Sequence, residues 1–504
     1  MTDQILIIDF GAPNTQLIAR AFRNAHIYCE IIPYNTVDFE IQSHVKGIIF
    51  TPLAPQFSKE NLGSYFWNQS PKNIPTFYIG SSIQLFKYKS HSIIFEYNSG
   101  TEVETIDSLT NQFELSNLLT GRRLGKISNL EFSWGASYLS YQSDKNPAFF
   151  AFEDAEAYWI NIDLFRTETE VKNQDIINFV KTICSLKDEF TAEHFIKFTI
   201  QQIKEQVKDQ KVIMAISGGV DSTVAAHLIH KAIGKNLFCF FVDTGLMRKN
   251  EGENVLKNYQ NSGLNIKSIQ ASDRYFKALD GVTSPEQKRK IIGSLFIELF
   301  QEEALNVTDA HFLGQGTIYP DIIESISIDG SPKIKSHHNV GGLPDFLKLD
   351  LVEPLKYLFK DEVRNVGRAL GIPSNLIDRH PFPGPGLGIR ILGAITPEKA
   401  TILQEADAIY ISLLEKWGLY KEVWQAAAIL LPVQSVGSKD GKRTYEYTLA
   451  IRAVNSVDGM TAQWVHLPYD FLNELSDTII DKVEGINRVV YDISNKPPAT
   501  IEWE

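Results

Sequence analysis

The sequence has few cysteines, no long apolar run and no excess of basic residues, and each shortage removes a class of protein. Its three cysteines, Cys29, Cys184 and Cys239, are far apart and form no C-x-x-C pair. This argues against a disulfide framework and against a zinc or iron–sulfur site. No stretch approaches the roughly 18 uncharged apolar residues that a membrane helix needs. We therefore expect a cytoplasmic protein with no membrane partner.

The charge balance is acidic. There are 49 Lys and Arg residues against 61 Asp and Glu residues, which gives a formal net charge of −12. A chain that coats nucleic acid carries the opposite excess, so no nucleic-acid partner is predicted. A local basic pocket for a small anion is still compatible with this balance, and phosphate-bearing small molecules remain candidate ligands.

The hydrophobic pattern predicts an α/β protein with several domains. The chain has 504 residues, of which 43% are hydrophobic, and about 150 residues per domain suggests three domains. Short apolar runs at residues 5–8, 47–50 and 76–79 alternate with helical patterns, which is typical of buried parallel strands in a doubly wound sheet. A long amphipathic helix is predicted over residues 192–207.

The alternation of strands and helices restarts after this helix and then changes character. Strands at residues 212–216 and 238–242 flank a helix at 222–233, which predicts a second α/β domain. Beyond residue 386 the pattern is mixed and predicts an α+β domain. Its expected elements are a helix at 397–417, a strand at 445–454 and a strand at 488–493.

A phosphate-binding loop is predicted between the strand at 212–216 and the next helix. It consists of Ser217, Gly218, Gly219, Val220, Asp221 and Ser222. Small residues let backbone N–H groups approach an anion, and the following helix N-terminus adds partial positive charge. No G-K-[ST] follows, so this is not a Walker loop. The Asp221 carboxylate instead suits Mg²⁺ that bridges bound phosphates. Glycines after a strand are often only turn residues, but the strand–loop–helix context favours the phosphate interpretation.

With this loop, the sequence resembles the GMP synthetase family, in which a glutamine amidotransferase is joined to an ATP pyrophosphatase. The resemblance runs from end to end, through blocks at residues 242–246, 288–293, 314–321, 334–343, 379–387 and 496–504. It implies three domains. These are a class I amidotransferase-like doubly wound domain (1–188), a PP-loop α/β domain of the adenine nucleotide α-hydrolase type (189–382), and a C-terminal α+β dimerisation and nucleotide-binding domain (383–504).

The resemblance also implies a reaction, its cofactors and a homodimer. ATP, with Mg²⁺, would adenylate the C2 oxygen of xanthosine 5′-monophosphate (XMP) and release pyrophosphate. Ammonia would then displace AMP to give GMP. This order is chemically reasonable, because a carbonyl oxygen is a poor leaving group whereas AMP is a good one.

Site residues follow from the matched motifs. Catalytic roles are implied for Asp221 and Lys360, and the purine nucleotide would contact Arg289, Gln425, Arg443, Lys496 and Glu502. Lys360 and Lys335 are weaker phosphate candidates, and His337 and His338 are equally compatible with structural roles. Residues 288–293 resemble a lid, which we expect to be mobile until nucleotide binds.

The N-terminal domain departs from the family at its catalytic positions. Gly80 occupies the position of the cysteine nucleophile, while Asp163 and Phe165 occupy those of the histidine and the glutamate. Pro52, which has no backbone N–H, replaces a glycine of the block that can shape an oxyanion hole. Residues 133–136 read Ser-Trp-Gly-Ala in place of S-H-G-D. We therefore expect a degenerate domain without glutaminase activity, so that ammonia comes from solution or from a partner.

Two alternatives to this function remain open at the level of sequence. Gln434, Gly459 and Gln463 depart from the family near the expected nucleotide pocket or dimer surface, so the same adenylation could serve another purine nucleotide or another nucleophile. One such nucleophile is sulfide in a thiopurine pathway, although Cys184 and Cys239 are expected to be buried and unsuited to carry a persulfide. A non-catalytic nucleotide-binding regulator is the other alternative, and the complete phosphate loop argues against it.

Overall fold

The computed structural model describes most of the second half of the chain and selected segments of the first. The described residues are 3–12, 15–34, 43–52, 74–79, 87–88, 91–92, 103–105, 123–125, 139–143, 146–152, 157–160, 177, 180–181, 184–325, 349–439, 441–456, 459 and 461–504. Two compact units are formed, one from Met1–Phe195 with Pro320–Lys335 and the other from Ile196–Tyr319 with Ser336–Glu504. The domain limits at 188/189 and 382/383 remain predictions. Within the described residues, no helix combines the length and apolarity needed to cross a bilayer.

The first unit contains one large, mostly parallel sheet. Its described strands follow the order β2-β1-β3-β4-β11-β10-β9, in which β9 and β10 are antiparallel additions at one edge. Ile7 and Ile8 point to opposite faces of the sheet and are 0% and 1% exposed, so both faces are covered at β1. The predicted strands at 5–8, 47–50 and 76–79 are confirmed. The described elements are β1 (Gln4–Asp9), α1 (Thr15–Asn24), β2 (Cys29–Pro33), β3 (Val45–Phe50), β4 (Thr76–Ile79), β5 (Lys87–Tyr88), β6 (His91–Ser92), β7 (Val103–Thr105), β8 (Arg123–Gly125), β9 (Leu139–Ser143), β10 (Asn146–Phe152) and β11 (Ala157–Ile160).

The second unit begins with another parallel sheet, whose described strands follow the order β14-β13-β12-β15-β16. The chain moves outward from β12 in one direction and then crosses to its other side. The carboxyl end of β12 is therefore the switch point where open α/β sheets bind ligands. The described elements of this part of the chain, in order, are α2 (Ala192–Val207), β12 (Lys211–Ile216), α3 (Val220–Ile233), β13 (Leu237–Asp243), α4 (Glu251–Asn261), β14 (Ile266–Gln270), α5 (Ser272–Ala278), α6 (Pro285–Ala304), β15 (Ala310–Gly314), α7 (Tyr319–Ser325), β16 (Asp350–Val352), α8 (Lys360–Ala369) and α9 (Ser374–Ile377). The start of α2 and nearly all of α7 belong to the first unit.

The last part of the chain is α+β, as predicted. A long hairpin, β17 with β18, is extended by β19 on one end and by β20 alongside β18. The elements are α10 (Pro397–Lys416), β17 (Gln425–Lys439), β18 (Lys442–Asn455), β19 (Gln463–Trp464), α11 (Tyr469–Lys482) and β20 (Ile486–Tyr491). Buried Leu403, Leu449 and Phe471 belong to the same apolar core as Leu246 and Ile292 of the preceding α/β part.

The lid expected at residues 288–293 is a helix in the structure. These residues lie in the first half of α6, which begins with Pro285 just after Ser284 in extended conformation. Proline suits the first helical position, because its fixed φ matches the helix and its missing N–H is not needed there. Lys288 has no exposed surface. The mobility expected of this segment before nucleotide binds remains a prediction.

All three cysteines are buried. Burial raises the pKa of the Cys239 thiol to about 12, which keeps it protonated and unreactive. This agrees with the expectation that Cys184 and Cys239 are packing residues.

Candidate functional site

The predicted phosphate loop connects β12 to α3 at the switch point of the second sheet. Gly218 adopts a positive φ of 76°, a conformation that favours glycine. The Ser217 hydroxyl accepts a hydrogen bond from the Gly219 amide at 3.3 Å, and Thr223 Oγ1 donates to the Gly219 carbonyl at 2.7 Å. Ser217 and Gly219 are exposed, so a ligand can reach the loop. The arrangement suits an anion at the N-terminus of a helix.

Arg379 closes one side of this loop. Its Nη1 donates to the Gly218 carbonyl at 2.7 Å, and its Nη2 pairs with the Glu251 carboxylate. Arg379 was not predicted as a site residue, although it opens the matched block at 379–387. The nearby carboxylate keeps its guanidinium fixed, so Arg379 supports the loop conformation and adds positive charge beside it.

The structure brings together Asp221 and Lys360, the two residues for which catalytic roles were predicted. Lys360 Nζ donates to Asp221 Oδ2 at 2.5 Å, and both side chains are partly exposed. Asp221 lies in the first turn of α3, whereas Lys360 is the first residue of α8. Two separate helix starts therefore place a carboxylate and an ammonium beside the phosphate loop.

The second carboxylate oxygen of Asp221 is a candidate ligand for a metal ion. Asp221 Oδ1 is buried and receives no hydrogen bond from the described residues. An unsatisfied buried carboxylate oxygen is costly, and a hard cation would satisfy it. Mg²⁺ commonly takes one or two protein carboxylates and completes its shell with phosphates and water, and the single carboxylate of Asp221 fits this pattern.

Gly316 fits tightly against the start of α3 and offers a test of the loop. A β-carbon at position 316 would lie 2.9 Å from the Ser222 amide nitrogen and 3.0 Å from the Asp221 carbonyl carbon. Because both are backbone atoms, the loop itself would have to move. Gly316→Ala is therefore expected to lower ATP-dependent turnover about 10²-fold, as a displacement of about 1 Å can do. The measurement is pyrophosphate release under saturating substrates.

Gly384→Ala is the matched control for this prediction. A β-carbon at Gly384 would meet nothing within 4 Å, and its φ is not in the positive region. Its turnover is expected to stay within about twofold of the wild type, as for most exposed substitutions. Equal activity of the two variants would show that the approach of Gly316 to α3 does not matter.

A second cluster forms where the chain segment 502–504 meets α6 and β17. Glu502 accepts hydrogen bonds from Arg390 Nε at 3.0 Å, from Arg390 Nη2 at 2.8 Å and from Gln425 Nε2 at 2.5 Å. Arg289 Nη2 donates to the main-chain oxygen of Glu504 at 2.5 Å. Three of the predicted nucleotide-binding residues, Arg289, Gln425 and Glu502, therefore lie around one short segment.

A cleft of about 500 Å³ opens beside this segment. It is lined by Glu502 and by Val490, Tyr491, Asp492, Ile493, Ser494, Ala499, Thr500 and Trp503. The volume is in the range of small-molecule sites. Glu502 is the predicted nucleotide residue among its lining groups, so this cleft is the candidate site for a purine base.

Among the described residues, Arg443 and Lys496 contact residues that do not belong to this cluster. Arg443 is exposed on the β17–β18 hairpin, with its guanidinium 5.3 Å from the ring centroid of Tyr445. Lys496 Nζ donates to the Gly459 carbonyl at 2.8 Å. Their nucleotide-binding roles remain predictions.

A buried charge network lies beneath the cluster, and no local sequence pattern indicates it. Arg390 has no exposed surface and packs against Phe382, with 5.1 Å between the guanidinium carbon and the ring centroid. Its Nη1 lies 3.8 Å from Asp407, which is also 3.3 Å from Arg248 Nε. Buried charges of this kind need partners, so Arg390 serves to fix and charge-balance Glu502.

Buried His380 predicts a dependence of stability on pH. Its Nδ1 accepts from the Ala426 amide at 3.3 Å, so Nε2 donates to the Tyr420 carbonyl at 2.7 Å. Burial lowers the pKa of His380 from 6.5 to about 4. In the unfolded chain the histidine binds a proton below about pH 6.5, while the folded state stays neutral. The free energy of unfolding should therefore fall by about 3 kcal/mol between pH 6.5 and pH 4.

The measurement is urea unfolding of the wild type and of His380→Gln across this pH range. The advantage of the wild type over the variant is expected to shrink as the pH falls. A difference that does not change with pH would contradict the assignment of a neutral buried histidine.

Several predicted residues lie outside the described part of the chain. They are Gly80, Asp163, Phe165, Lys335, His337, His338 and the segment 133–136. Thr51, in the block expected to shape an oxyanion hole, is described. Its hydroxyl donates to the Ile8 carbonyl and accepts from the Phe10 amide, both at 3.1 Å. Thr51 thus ties the ends of β1 and β3 together.

Comparisons with known proteins show which family the chain resembles. Residues 191–292 match the family model described as NAD synthase, and residues 412–503 match the one described as GMP synthase C terminal domain. Proteins named GMP synthase (glutamine-hydrolyzing) are similar over the full length of both chains. They include those of Porphyromonas gingivalis at 49% identity, Cytophaga hutchinsonii at 48% and Christiangramia forsetii at 47%.

Proposed function

The chain belongs to the GMP synthase family, and on that premise we propose that it makes GMP from XMP, ATP and ammonia without hydrolysing glutamine. Members of this family are carbon–nitrogen ligases that form AMP, and the protein is such a ligase, with ATP and Mg²⁺ as its cofactors. The observation that carries the proposal is the pairing of Asp221 with Lys360 at the phosphate loop, which leaves the buried Asp221 Oδ1 without a hydrogen bond.

The loop geometry supports the first step. The C2 oxygen of XMP forms a bond to the α-phosphorus of ATP while the bond to pyrophosphate breaks. The amides at the N-terminus of α3 and the Lys360 ammonium stabilise the negative charge of the departing pyrophosphate. Asp221 Oδ1 is the protein ligand available to Mg²⁺, which neutralises phosphate charge when bound. Ammonia then attacks C2, and AMP leaves with the oxygen.

The cluster at residues 502–504 supports recognition of the purine nucleotide. Glu502 is an acceptor for purine N–H groups, and it lines the 500 Å³ cleft. Arg289 is a cation suited to phosphate, and Gln425 offers both a donor and an acceptor. In this proposal, Arg289 binds the phosphate and Glu502 and Gln425 read the base, with Arg443 and Lys496 as additional phosphate ligands.

The departures in the first unit support the loss of glutamine hydrolysis. Glycine at position 80 has no side chain to form a thioester, and Asp163 and Phe165 cannot replace the histidine–glutamate pair of the family. Pro52 lacks the backbone donor that an oxyanion hole needs. The relatives named above are glutamine-hydrolysing by name. In this proposal, the chain differs from them in lacking glutamine hydrolysis, while it keeps the synthesis of GMP. Its ammonia would come from solution or a partner, and we propose a cytoplasmic location.

The experiment that tests the proposed function is pyrophosphate release with ATP, Mg²⁺ and ammonium over a panel of purine nucleotides. XMP is expected to give pyrophosphate and GMP in equal amounts. Pyrophosphate release with another nucleotide but not with XMP would identify that nucleotide as the acceptor. A protein that gives none with any nucleotide would overturn the enzyme assignment.

We also propose a homodimer formed through the last part of the chain. Val436 and Tyr445 lie opposite each other on β17 and β18 and are 48% and 59% exposed. Val433 and Val490 are also exposed at 58% and 40%, and apolar surface of this kind marks an interface. Light scattering at micromolar concentration is expected to give the mass of two chains, and Tyr445→Asp should shift it towards one. A wild-type monomer would contradict the dimer.

A further inference from the structure

Lys288 is a buried cation that the proposed reaction does not use. It lies in the first half of α6 with no exposed surface. Its ammonium donates to the Ile391 carbonyl at 2.7 Å and pairs with the Glu504 carboxylate. Burial lowers the pKa of Lys288, and the carboxylate of Glu504 opposes this effect. A lysine held in such a place needs its counter-charge.

Glu504 is also largely buried and makes several contacts. Its side chain is 8% exposed, and its second carboxylate oxygen accepts from the Gly393 amide at 3.2 Å. Its main-chain oxygen accepts from Arg289, the neighbour of Lys288 in α6. One residue therefore holds two consecutive α6 side chains, one through its carboxylate and the other through its backbone.

This arrangement links the two ends of the proposed nucleotide site. Glu502 is fixed by Arg390 and Gln425, and Glu504 is fixed two residues later by α6 and by Gly393. The segment 502–504 thus sets the separation between the group assigned to the base and the guanidinium assigned to the phosphate. Glu504 is not among the residues that line the 500 Å³ cleft, whereas Glu502 is, so Glu504 is not placed to contact the base there.

We propose that Glu504, through its ion pair with Lys288, is a positioning residue that holds Arg289 and Glu502 at the spacing that XMP requires. This inference rests on the proposed function and adds a specificity element to it. ATP binds at the phosphate loop with Asp221 and Lys360, none of which contacts Glu504. Loss of the pair should therefore weaken XMP binding and leave ATP binding unchanged.

The experiment compares Glu504→Gln, Lys288→Met and the double variant in the full-length protein. Each single variant leaves one buried charge unpaired, which destabilises the folded state. The double variant removes both charges. In the double variant the KM for XMP is expected to rise about tenfold or more, while kcat and the KM for ATP stay within about threefold. Glu504→Asp should give an intermediate KM for XMP. Exposed Glu484 supplies the control, as Glu484→Gln should match the wild type.

Each outcome separates the two proposals. A folded double variant with the wild-type KM for XMP overturns the positioning role while the proposed function stands. Equal rises in the KM for XMP and for ATP would mean a general structural role and would also overturn it. A wild-type enzyme that neither binds XMP in calorimetry nor releases pyrophosphate with it overturns the proposed function itself.

Discussion

Replacement of Asp221 by asparagine is expected to lower XMP-dependent pyrophosphate release by about 10²- to 10³-fold, the usual effect of removing one preorganised electrostatic contact. Asparagine keeps the size of the side chain but carries no charge. It would leave the Lys360 ammonium without its carboxylate partner and offer Mg²⁺ only a neutral amide oxygen. The fold should be maintained, because the Asp221 side chain is 26% exposed.

The control is Asp209→Asn, an exposed acidic residue just before β12, which should keep wild-type turnover. The double variant Asp221→Asn with Lys360→Met provides a second check. Because the two side chains are in contact, their effects are expected to be non-additive, so the double variant should lose much less than the product of the single losses. Turnover of Asp221→Asn within about threefold of the wild type would exclude Asp221 from the reaction.

Glutamine is expected to support GMP formation at less than about one thousandth of the rate with ammonium if, as proposed above, the first unit cannot form the covalent intermediate. Ammonium should sustain turnover, and the rate should rise with pH as the free base NH₃ increases. The measurement is GMP and glutamate formation in parallel assays with each nitrogen source. The Porphyromonas gingivalis relative, named as glutamine-hydrolyzing, is the positive control.

Glutamate release that keeps pace with GMP formation would contradict this expectation. It would mean that other residues of the first unit carry the hydrolysis. The single variant Gly80→Cys is expected to leave glutamine turnover at background, because a new thiol would still lack a base at position 163 and an acid partner at position 165. Recovery of activity in this variant would show that only the nucleophile had been lost.

Much of the fold could be predicted from local patterns. The strands at 212–216 and 238–242 and the helix at 192–207 were found because each carries its own apolar run or amphipathic repeat. The phosphate loop was found for a similar reason, since its six residues are contiguous and lie between a strand and a helix. The start of α6 was missed because Ser284 and Pro285 occur both in loops and at helix N-termini, and only packing distinguishes the two.

The sequence by itself determined the fold class and the phosphate loop, and it carries the proposal of a first unit without glutaminase activity, because each depends on residue types at neighbouring positions. Only the tertiary structure decided which distant charges meet. Arg379 reaches Glu251, Arg390 reaches Glu502, and Lys288 reaches Glu504 across 216 positions of the chain. Lysine and arginine are ordinarily exposed, so nothing in their local sequence marks them as buried. Their pairing arises because folding encloses each cation, and an enclosed charge persists only beside an opposite one.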